Sequence, residues 1–126
     1  MSRTVLIVDD EAHLRMLIQQ TLEDLEEEGI ELVTATNGEE AIDKIETLHP
    51  ALVFLDVMMP KLSGFDVCRR VKQGLGLRDV FIVLLTAKGQ ELDRQKGQEV
   101  GADLYMTKPF DPDALLRKAR EVLALL

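Results

Sequence analysis

Three aspartates stand directly after short apolar runs that are typical of β-strands. Asp9 and Asp10 follow Thr4–Val8, and Asp56 follows residues 51–55. Runs of this kind, without polar alternation, are typical of strands that are covered on both faces of a parallel sheet. Because ligands bind beyond the carboxyl ends of such strands, we expect these three carboxylates to converge at one edge of the sheet.

A hydroxyl group and an ammonium group follow two further strand-like runs. Thr86 and Ala87 come after residues 80–85, and Lys108 comes after residues 103–107. The same topological rule brings these groups to the edge that carries the aspartates. Residues from distant parts of the chain are therefore predicted to form one site.

The combination of these groups predicts phosphoryl chemistry. Three clustered carboxylates repel one another unless a cation relieves them. Oxygen ligands without histidine or thiolate favour Mg²⁺, or Mn²⁺, over zinc or copper. An ammonium group beside a metal site indicates a bound anion, and a carboxylate can itself accept a phosphoryl group as an aspartyl phosphate. Metal, ammonium and hydroxyl together supply the positioning and charge neutralisation that phosphoryl transfer needs.

Each of these residues also has an ordinary structural interpretation when it is considered alone. Asp9 or Asp10 could cap the helix that follows, because a carboxylate accepts the free amide protons there. Asp56 could be a turn residue, Thr86 could close a strand, and Lys108 could be a solvated surface lysine. Their conjunction is what favours a functional site.

A regular alternation of strand-like and helix-like segments positions these residues. The predicted strands are residues 4–8, 32–36, 51–55, 80–85 and 103–107, and the predicted helices are residues 14–25, 39–48, 64–73, 91–100 and 111–126. Five strand–helix pairs with short connections predict an α/β fold, with a doubly wound five-stranded parallel sheet in three layers.

Apolar spacing predicts which helix faces turn inward. The stripe of the first helix recurs every three or four residues and comprises Leu14, Leu17, Ile18, Thr21, Leu22 and Leu25. In the third helix Phe65, Cys68 and Val71 are predicted to face the core. The acidic run 26–28 is predicted to be a solvated helix end.

Length and charge exclude several classes of function. The chain has 126 residues, so we expect a single domain over residues 1–126. Fifteen basic and 23 acidic residues give a net charge of −8, which argues against non-specific nucleic-acid binding and against adhesion to anionic membranes. The lone Cys68 excludes an internal disulfide and a multi-cysteine zinc site. No apolar run approaches the roughly 20 residues of a membrane span, so a cytoplasmic location is expected.

These residues, in this order, resemble the receiver domain of two-component response regulators. The matching stretches are Val8-Asp9-Asp10-Glu11, Leu55-Asp56-Val57-Met58-Met59-Pro60 with Gly64, Leu85-Thr86-Ala87, and Gly101-Ala102-Asp103 through Lys108-Pro109-Phe110. The resemblance extends over nearly the whole chain. It implies the flavodoxin-like strand order 2-1-3-4-5.

The resemblance implies a phosphorelay function rather than an enzyme that turns over an external substrate. Asp56 would accept a phosphoryl group from a phosphohistidine on a sensor histidine kinase or a histidine phosphotransfer protein. Asp10, Asp56 and the backbone carbonyl of Met58 would bind Mg²⁺, and Asp9 would act through metal-bound water. Lys108 would pair with the phosphoryl oxygens.

The resemblance also implies a conformational switch. Thr86 would donate its hydroxyl to the phosphoryl group, with help from the Ala87 amide, and the Lys108–Pro109 bond would be cis. Thr86 would move on phosphorylation and Tyr105 would turn inward, which alters the face formed by the fourth helix, the fifth strand and the fifth helix. That face would control a downstream protein target.

Two features bear on lifetime and assembly. Met58 and Lys88, each two residues past a motif residue, are predicted to tune the lifetime of the acyl phosphate. Many winged-helix relatives read Ala-Asp-Asp-Tyr where this chain reads Ala-Asp-Leu-Tyr at 102–105. Since the second acid lies in their dimer contact, the departure weakens the case for that dimer and leaves a monomer or a phosphorylation-dependent dimer open.

Three other functions compete with this interpretation. A receiver-like module that is never phosphorylated would share the fold, although every key position is filled here. A phosphatase that forms an aspartyl phosphate carries a second aspartate two residues after the nucleophile, where this chain has Met58. A flavin-binding protein is disfavoured, because the acidic residues 9–11 would repel a phosphate.

Overall fold

The computed structural model describes residues 3–87 and 91–123, which form a five-stranded parallel sheet between two helical layers. The strands are β1 (Thr4–Val8), β2 (Glu31–Ala35), β3 (Leu52–Asp56), β4 (Phe81–Ala87) and β5 (Leu104–Lys108). Their order is β2-β1-β3-β4-β5, and all four pairings are parallel. The predicted fold class and strand order are confirmed.

Five helices connect the strands or close the chain. They are α1 (Ala12–Leu22), α2 (Gly38–Leu48), α3 (Gly64–Arg69), α4 (Glu91–Glu99) and α5 (Pro112–Val122). A 3₁₀ segment, Glu23–Glu28, follows α1, and a π-helical turn, Arg70–Gly74, extends α3. None of the helices in the described residues has the length and apolar character that crossing a bilayer needs.

Side-chain caps fix where α2, α3 and α5 begin, and Asp111 accepts from the Asp113 amide at the start of α5. The Asn37 side chain accepts from the Glu40 amide at the start of α2. Ser63 and Asp66 form a reciprocal capping box at the start of α3, so two amides at that end have partners. The caps of α2 and α3 set the loops that follow β2 and β3, and the second of those loops carries part of the site.

Alternating residues of each strand feed two cores, one on each face of the sheet. On one face, Leu6 and Val8 of β1 pack with residues of α2, α3 and the π-helical turn. On the other face, Val5 and Ile7 pack with residues of α1 and α5. Every residue of β1 and β3 is buried, which explains why their sequences lack polar alternation, whereas the edge strands β2 and β5 are only partly buried.

The structure corrects several predicted boundaries and burials. The last four strands begin or end about one residue from the predicted positions, and α1 ends at Leu22 rather than at Leu25. Leu25 is still buried, because the tighter 3₁₀ segment turns it inward. The prediction that Leu17 faces the core is wrong, since it is 43% exposed.

The acidic run agrees with its prediction, whereas the third helix and the last helix differ from theirs. Residues 26–28 are exposed at the end of the 3₁₀ segment, and the Glu28 carboxylate there accepts from Arg120 Nη1 of α5 at 2.7 and 2.8 Å. The third helix was predicted as one α-helix to residue 73, but it changes to π-helical spacing at Arg70. The last helix ends at Val122, and residues 124–126 lie outside the described residues.

Candidate functional site

The carboxyl edge of the sheet brings the predicted aspartates and lysine together. Lys108 Nζ lies 2.7 Å from Asp56 Oδ1 and 3.2 Å from Asp9 Oδ2. In the strand order, β4 lies between β5 and β3, and β4 and β3 lie between β5 and β1. The long lysine side chain therefore reaches past one strand to Asp56 and past two strands to Asp9. One oxygen each of Asp9, Asp10 and Asp56 lie within 4.8 Å of one another. We call these four residues the acidic edge cluster.

Burial divides this cluster into an inner and an outer part. Asp9 and Asp56 are buried, whereas Asp10 is exposed. The two buried carboxylates are those that Lys108 contacts. A cation from solvent therefore meets Asp10 first.

Asp9 is fixed through its backbone and both carboxylate oxygens. Its amide donates to the Ala35 carbonyl at 3.3 Å, and its own carbonyl accepts from Arg15 Nη1 at 2.7 Å. Oδ1 accepts from the Glu11 amide at 2.9 Å, and Oδ2 accepts from Lys108. These four hydrogen bonds fix the conformation of Asp9, the residue directly before Asp10 in the loop between β1 and α1.

The environment shifts the pKa values of Asp56 and Lys108. Burial raises the pKa of Asp56; the Lys108 hydrogen bond opposes this shift, and the charges of Asp9 and Asp10 add to it. Burial lowers the pKa of Lys108, but its hydrogen bond and attraction to Asp56, with the charge of Asp9, outweigh burial and raise the pKa overall. Lys108 is therefore a cation at neutral pH.

The residues of the acidic edge cluster fit a divalent cation. Three carboxylates and one ammonium group sum to a charge of −2 when all are ionised, which one divalent ion would balance. The candidate donors are all oxygen atoms, as Mg²⁺ and Mn²⁺ prefer. The chain therefore has an acidic pocket that could hold such an ion.

Close backbone packing positions Asp56 and the loop after it. The Val57 amide donates to the Leu85 carbonyl, and the Gly64 amide donates to the Val57 carbonyl, both at 2.9 Å. A Cβ on Gly64 would overlap the Asp56 carbonyl oxygen, so this approach requires glycine. Met58 lies on the same loop, two residues after Asp56, and is 73% exposed.

The remaining predicted residues lie on β4 and β5. Thr86 is buried, and it is paired in register with Thr107, while Ala87 is paired with Lys108. The peptide bond between Lys108 and Pro109 is cis, as the resemblance implied. Lys88, the second predicted tuning residue, lies outside the described residues.

Tyr105, the predicted switch residue, lies on β5 on the α4 side. It is partly buried against the core, and the guanidinium of Arg94 from α4 lies 5.4 Å from its ring centroid. A Cβ on Gly97 would lie 3.5 Å from the ring, so the small residue leaves room for the tyrosine beside α4. The ring thus touches the helix that the predicted switch would move.

Sequence reasoning missed two residues that the structure makes prominent. Arg15 contacts Asp9, and Lys72 is buried with its Nζ 2.7 Å from Asp103 Oδ2. The Lys72 ammonium also donates to the carbonyls of Arg78 and Val80. A signal for Lys72 was present, because it is four residues after Cys68 on the inward stripe; Arg15 had none beyond its position one turn into α1.

Comparisons with known proteins identify what this chain resembles. The family model for the response regulator receiver domain matches residues 5–120. The chain is 44% identical over 124 residues to the alkaline phosphatase synthesis transcriptional regulatory protein PhoP of Bacillus subtilis, covering 98% of this chain and 49% of that protein. It is 43% identical over 121 residues to the phosphate regulon transcriptional regulatory protein PhoB of Pseudomonas aeruginosa, covering 96% and 52%.

A solved structure shares the whole fold. The chemotaxis protein CheY4 of Vibrio cholerae superposes with a TM-score of 0.84 at 32% identity, over 97% of this chain and 99% of that one. The chain spans about half the length of the curated relatives it matches.

Proposed function

The chain belongs to the response regulator receiver domain family, and we propose that it accepts a phosphoryl group on Asp56 from a phosphohistidine. The donor is a sensor histidine kinase or a histidine phosphotransfer protein. The observation that carries this proposal is the buried Asp56 carboxylate, 2.7 Å from the Lys108 ammonium and grouped with two further carboxylates.

The chain's own groups have separate roles in the transfer. A carboxylate oxygen of Asp56 forms a bond to phosphorus while the bond from phosphorus to the donor imidazole nitrogen breaks, and that electron pair stays on the imidazole. Lys108, already beside Asp56, pairs with the phosphoryl oxygens. The Thr86 hydroxyl and the Ala87 amide at the end of β4 donate to the same oxygens.

Mg²⁺, with Mn²⁺ as a substitute, is the proposed cofactor. Asp10, Asp56 and the Met58 carbonyl would hold it directly, and Asp9 would hold it through water. When bound, the ion neutralises charge on the phosphoryl group and on the carboxylates. The all-oxygen donor set and the charge of −2 support this choice.

The proposed output is a change in the surface formed by α4, β5 and α5. Thr86 would move toward the phosphoryl group and Tyr105 would turn inward, which ends the stacking of Arg94 on its ring. The altered surface would control a downstream protein target, as a monomer or a phosphorylation-dependent dimer. Because its net charge is −8, this domain would bind neither nucleic acid nor membrane directly. It would act in the cytoplasm. It would catalyse only its own phosphorylation and dephosphorylation.

Intact-mass analysis after incubation with acetyl phosphate tests the proposal. We expect one phosphoryl adduct that requires Mg²⁺, is labile to base and is absent in Asp56→Asn. Asp43→Asn, an exposed change on α2, is the matched control and should be phosphorylated normally. No adduct on a folded protein that also ignores beryllofluoride would refute the proposal and favour the receiver-like module that is never phosphorylated.

Met58 and Lys88 are proposed to tune how long the aspartyl phosphate survives. The exposed Met58 side chain at the mouth limits the approach of water to Asp56, and Lys88 alters polarity there. Dephosphorylation rates of Met58→Asn and Lys88→Glu should therefore differ from that of the unchanged protein. Equal rates in all three proteins would remove this hypothesis.

A further inference from the structure

The carbonyl group of Asp9 has an unusual partner for a residue at the end of a parallel strand. β1 ends at Val8, and Asp9 continues the pairing only through its amide, which donates to Ala35. Its carbonyl accepts from Arg15 Nη1 at 2.7 Å instead of from a neighbouring strand. This is a charge-assisted hydrogen bond, and bonds of that kind are stronger than those between neutral groups.

Arg15 is well placed to determine the loop between β1 and α1. Its own amide donates to the Glu11 carbonyl at 3.1 Å, which makes it part of the first turn of α1. Its side chain returns over that turn to Asp9, and the side chain is only partly exposed. Asp10 lies between Asp9 and Arg15 in the sequence. The hydrogen bond between Arg15 and Asp9 therefore restrains the exposed Asp10 carboxylate as well as the buried Asp9 carboxylate.

We propose that Arg15 is a positioning residue that sets the affinity of the acidic edge cluster for Mg²⁺. The inference rests on the proposed function and adds a residue to it. Arg15 acts through the Asp9 backbone carbonyl. Because hydrogen bonds to residues of a metal site hold their donors in place, their loss typically weakens metal binding about 10- to 100-fold.

A purely structural role for Arg15 would have a different signature. Helix α1 is anchored independently, since Ile18 and Leu22 are buried in the core shared with α5. Removing the guanidinium should therefore leave the fold intact and alter the positions of Asp9 and Asp10. Metal affinity should change more than stability does.

Titration calorimetry of Mg²⁺ with the unphosphorylated protein tests this role directly. We expect Arg15→Met to bind Mg²⁺ about tenfold more weakly. Arg117→Met, an exposed arginine on α5, removes the same charge away from the site and should bind within twofold of the unchanged protein. With acetyl phosphate, Arg15→Met should need correspondingly more Mg²⁺ for half-maximal phosphorylation and reach a similar rate at saturation.

Three results would overturn the inference. The first is an unchanged Mg²⁺ affinity in Arg15→Met, and the second is an equal loss of Mg²⁺ affinity in Arg117→Met. The third is a phosphorylation rate of Arg15→Met that falls equally at every Mg²⁺ concentration. If circular dichroism shows that Arg15→Met is unfolded, Arg15→Lys carries the same test, since it keeps the charge and lacks the guanidinium. Lack of phosphorylation in the unchanged protein would refute the proposed function and not the role of Arg15. The two outcomes are distinguishable because the Mg²⁺ titration uses unphosphorylated protein.

Discussion

Two lysines, the buried Lys72 and the partly buried Lys108, bind carboxylates at opposite edges of the sheet, and the two arrangements differ in charge balance. At the carboxyl edge, Lys108 lies among Asp9, Asp10 and Asp56 in the acidic edge cluster. At the amino ends of β4 and β5, Lys72 pairs with Asp103. We call Lys72, Asp103 and the carbonyls of Arg78 and Val80 the Lys72 cluster.

The Lys72 cluster is balanced and fully hydrogen-bonded. The three donors of the ammonium group face three acceptors, namely one Asp103 oxygen and two carbonyls. Asp103 Oδ2 also accepts from the Ile82 amide at 2.9 Å, so the cluster joins the end of the π-helical turn to the start of β4 and β5. The Lys72 side chain is 6% exposed, against 21% for Lys108.

The acidic edge cluster has an excess of negative charge and an opening to solvent at Asp10. Buried carboxylates that lack a full set of cations are destabilising, and they are ready to bind a cation or react with an electrophile. The comparison indicates that Lys72 stabilises the fold, and it is consistent with the proposed role of Lys108 in phosphoryl transfer.

The largest change in stability should follow replacement of Lys72. Lys72→Met leaves Asp103 without its counterion and the carbonyls of Arg78 and Val80 without the ammonium donor, and we expect the free energy of unfolding to fall by about 3 kcal/mol. Urea denaturation measures this change. Lys118→Met, which breaks a pair one turn apart on α5, is the control and should cost at most about 0.5 kcal/mol. Similar losses in the two variants would contradict the structural role of Lys72.

A smaller loss should follow disturbance of the backbone beneath the acidic edge cluster. Gly64→Ala places a Cβ against the Asp56 carbonyl oxygen, and we expect about 2 kcal/mol of destabilisation with slower phosphorylation. Gly74→Ala is the matched control, because no heavy atom of the described residues lies within 4 Å of a Cβ there. That variant should keep its rate and change little in stability. Normal phosphorylation of Gly64→Ala would show that the close approach is not needed.

Neutralising a carboxylate should raise the free energy of unfolding in the acidic edge cluster and lower it in the Lys72 cluster. The raised pKa of Asp56 means that the native state holds this proton more tightly than the unfolded chain does, so ionisation destabilises the fold as pH rises above 3.8. Asp56→Asn should therefore raise the free energy of unfolding at pH 7 by about 1 kcal/mol. Asp103→Asn should lower it, because Lys72 stays buried without its counterion.

Thermal unfolding between pH 4 and pH 7 checks the assignment of this effect. The advantage of Asp56→Asn should shrink as pH falls, since the unchanged protein then protonates Asp56. An advantage that is independent of pH would assign the stabilisation to something other than the Asp56 charge.

The smallest effect concerns Cys68, which lies one turn before Lys72. Burial raises the pKa of its thiol to about 12, and its Sγ lies 3.5 Å from the Val100 carbonyl. Iodoacetamide should therefore alkylate the folded protein very slowly at pH 8, because the thiolate is the reactive form. The rate should rise in Lys72→Met if the Lys72 cluster keeps this region closed, and mass spectrometry measures it. Rapid alkylation of the unchanged protein would contradict the burial.

Most of the fold could be predicted because the pattern of the chain is regular. Unbroken apolar runs specify strands covered on both faces, and the rule for parallel sheets brings their carboxyl ends to one edge. That is why Asp9, Asp10, Asp56 and Lys108 could be grouped before any distance was known. The strand order and the roles of Thr86 and Tyr105 came from the family resemblance and not from periodicity.

The rest depended on contacts between segments that are far apart in sequence. Leu17 fits the apolar stripe, yet its exposure depends on which part of α1 the neighbouring elements cover. Lys72 is buried because the end of α3 brings its ammonium group to carbonyls and a carboxylate of later segments.

The sequence by itself determined which groups gather at the carboxyl edge, because apolar runs specify the strands locally and parallel strands bring their carboxyl ends to one edge. Only the tertiary structure decided how each charge is compensated. Compensation depends on distances of about 3 Å between residues such as Lys108 and Asp56 or Lys72 and Asp103. Spacing along the chain does not specify distances of that kind, since they arise only when separate elements pack.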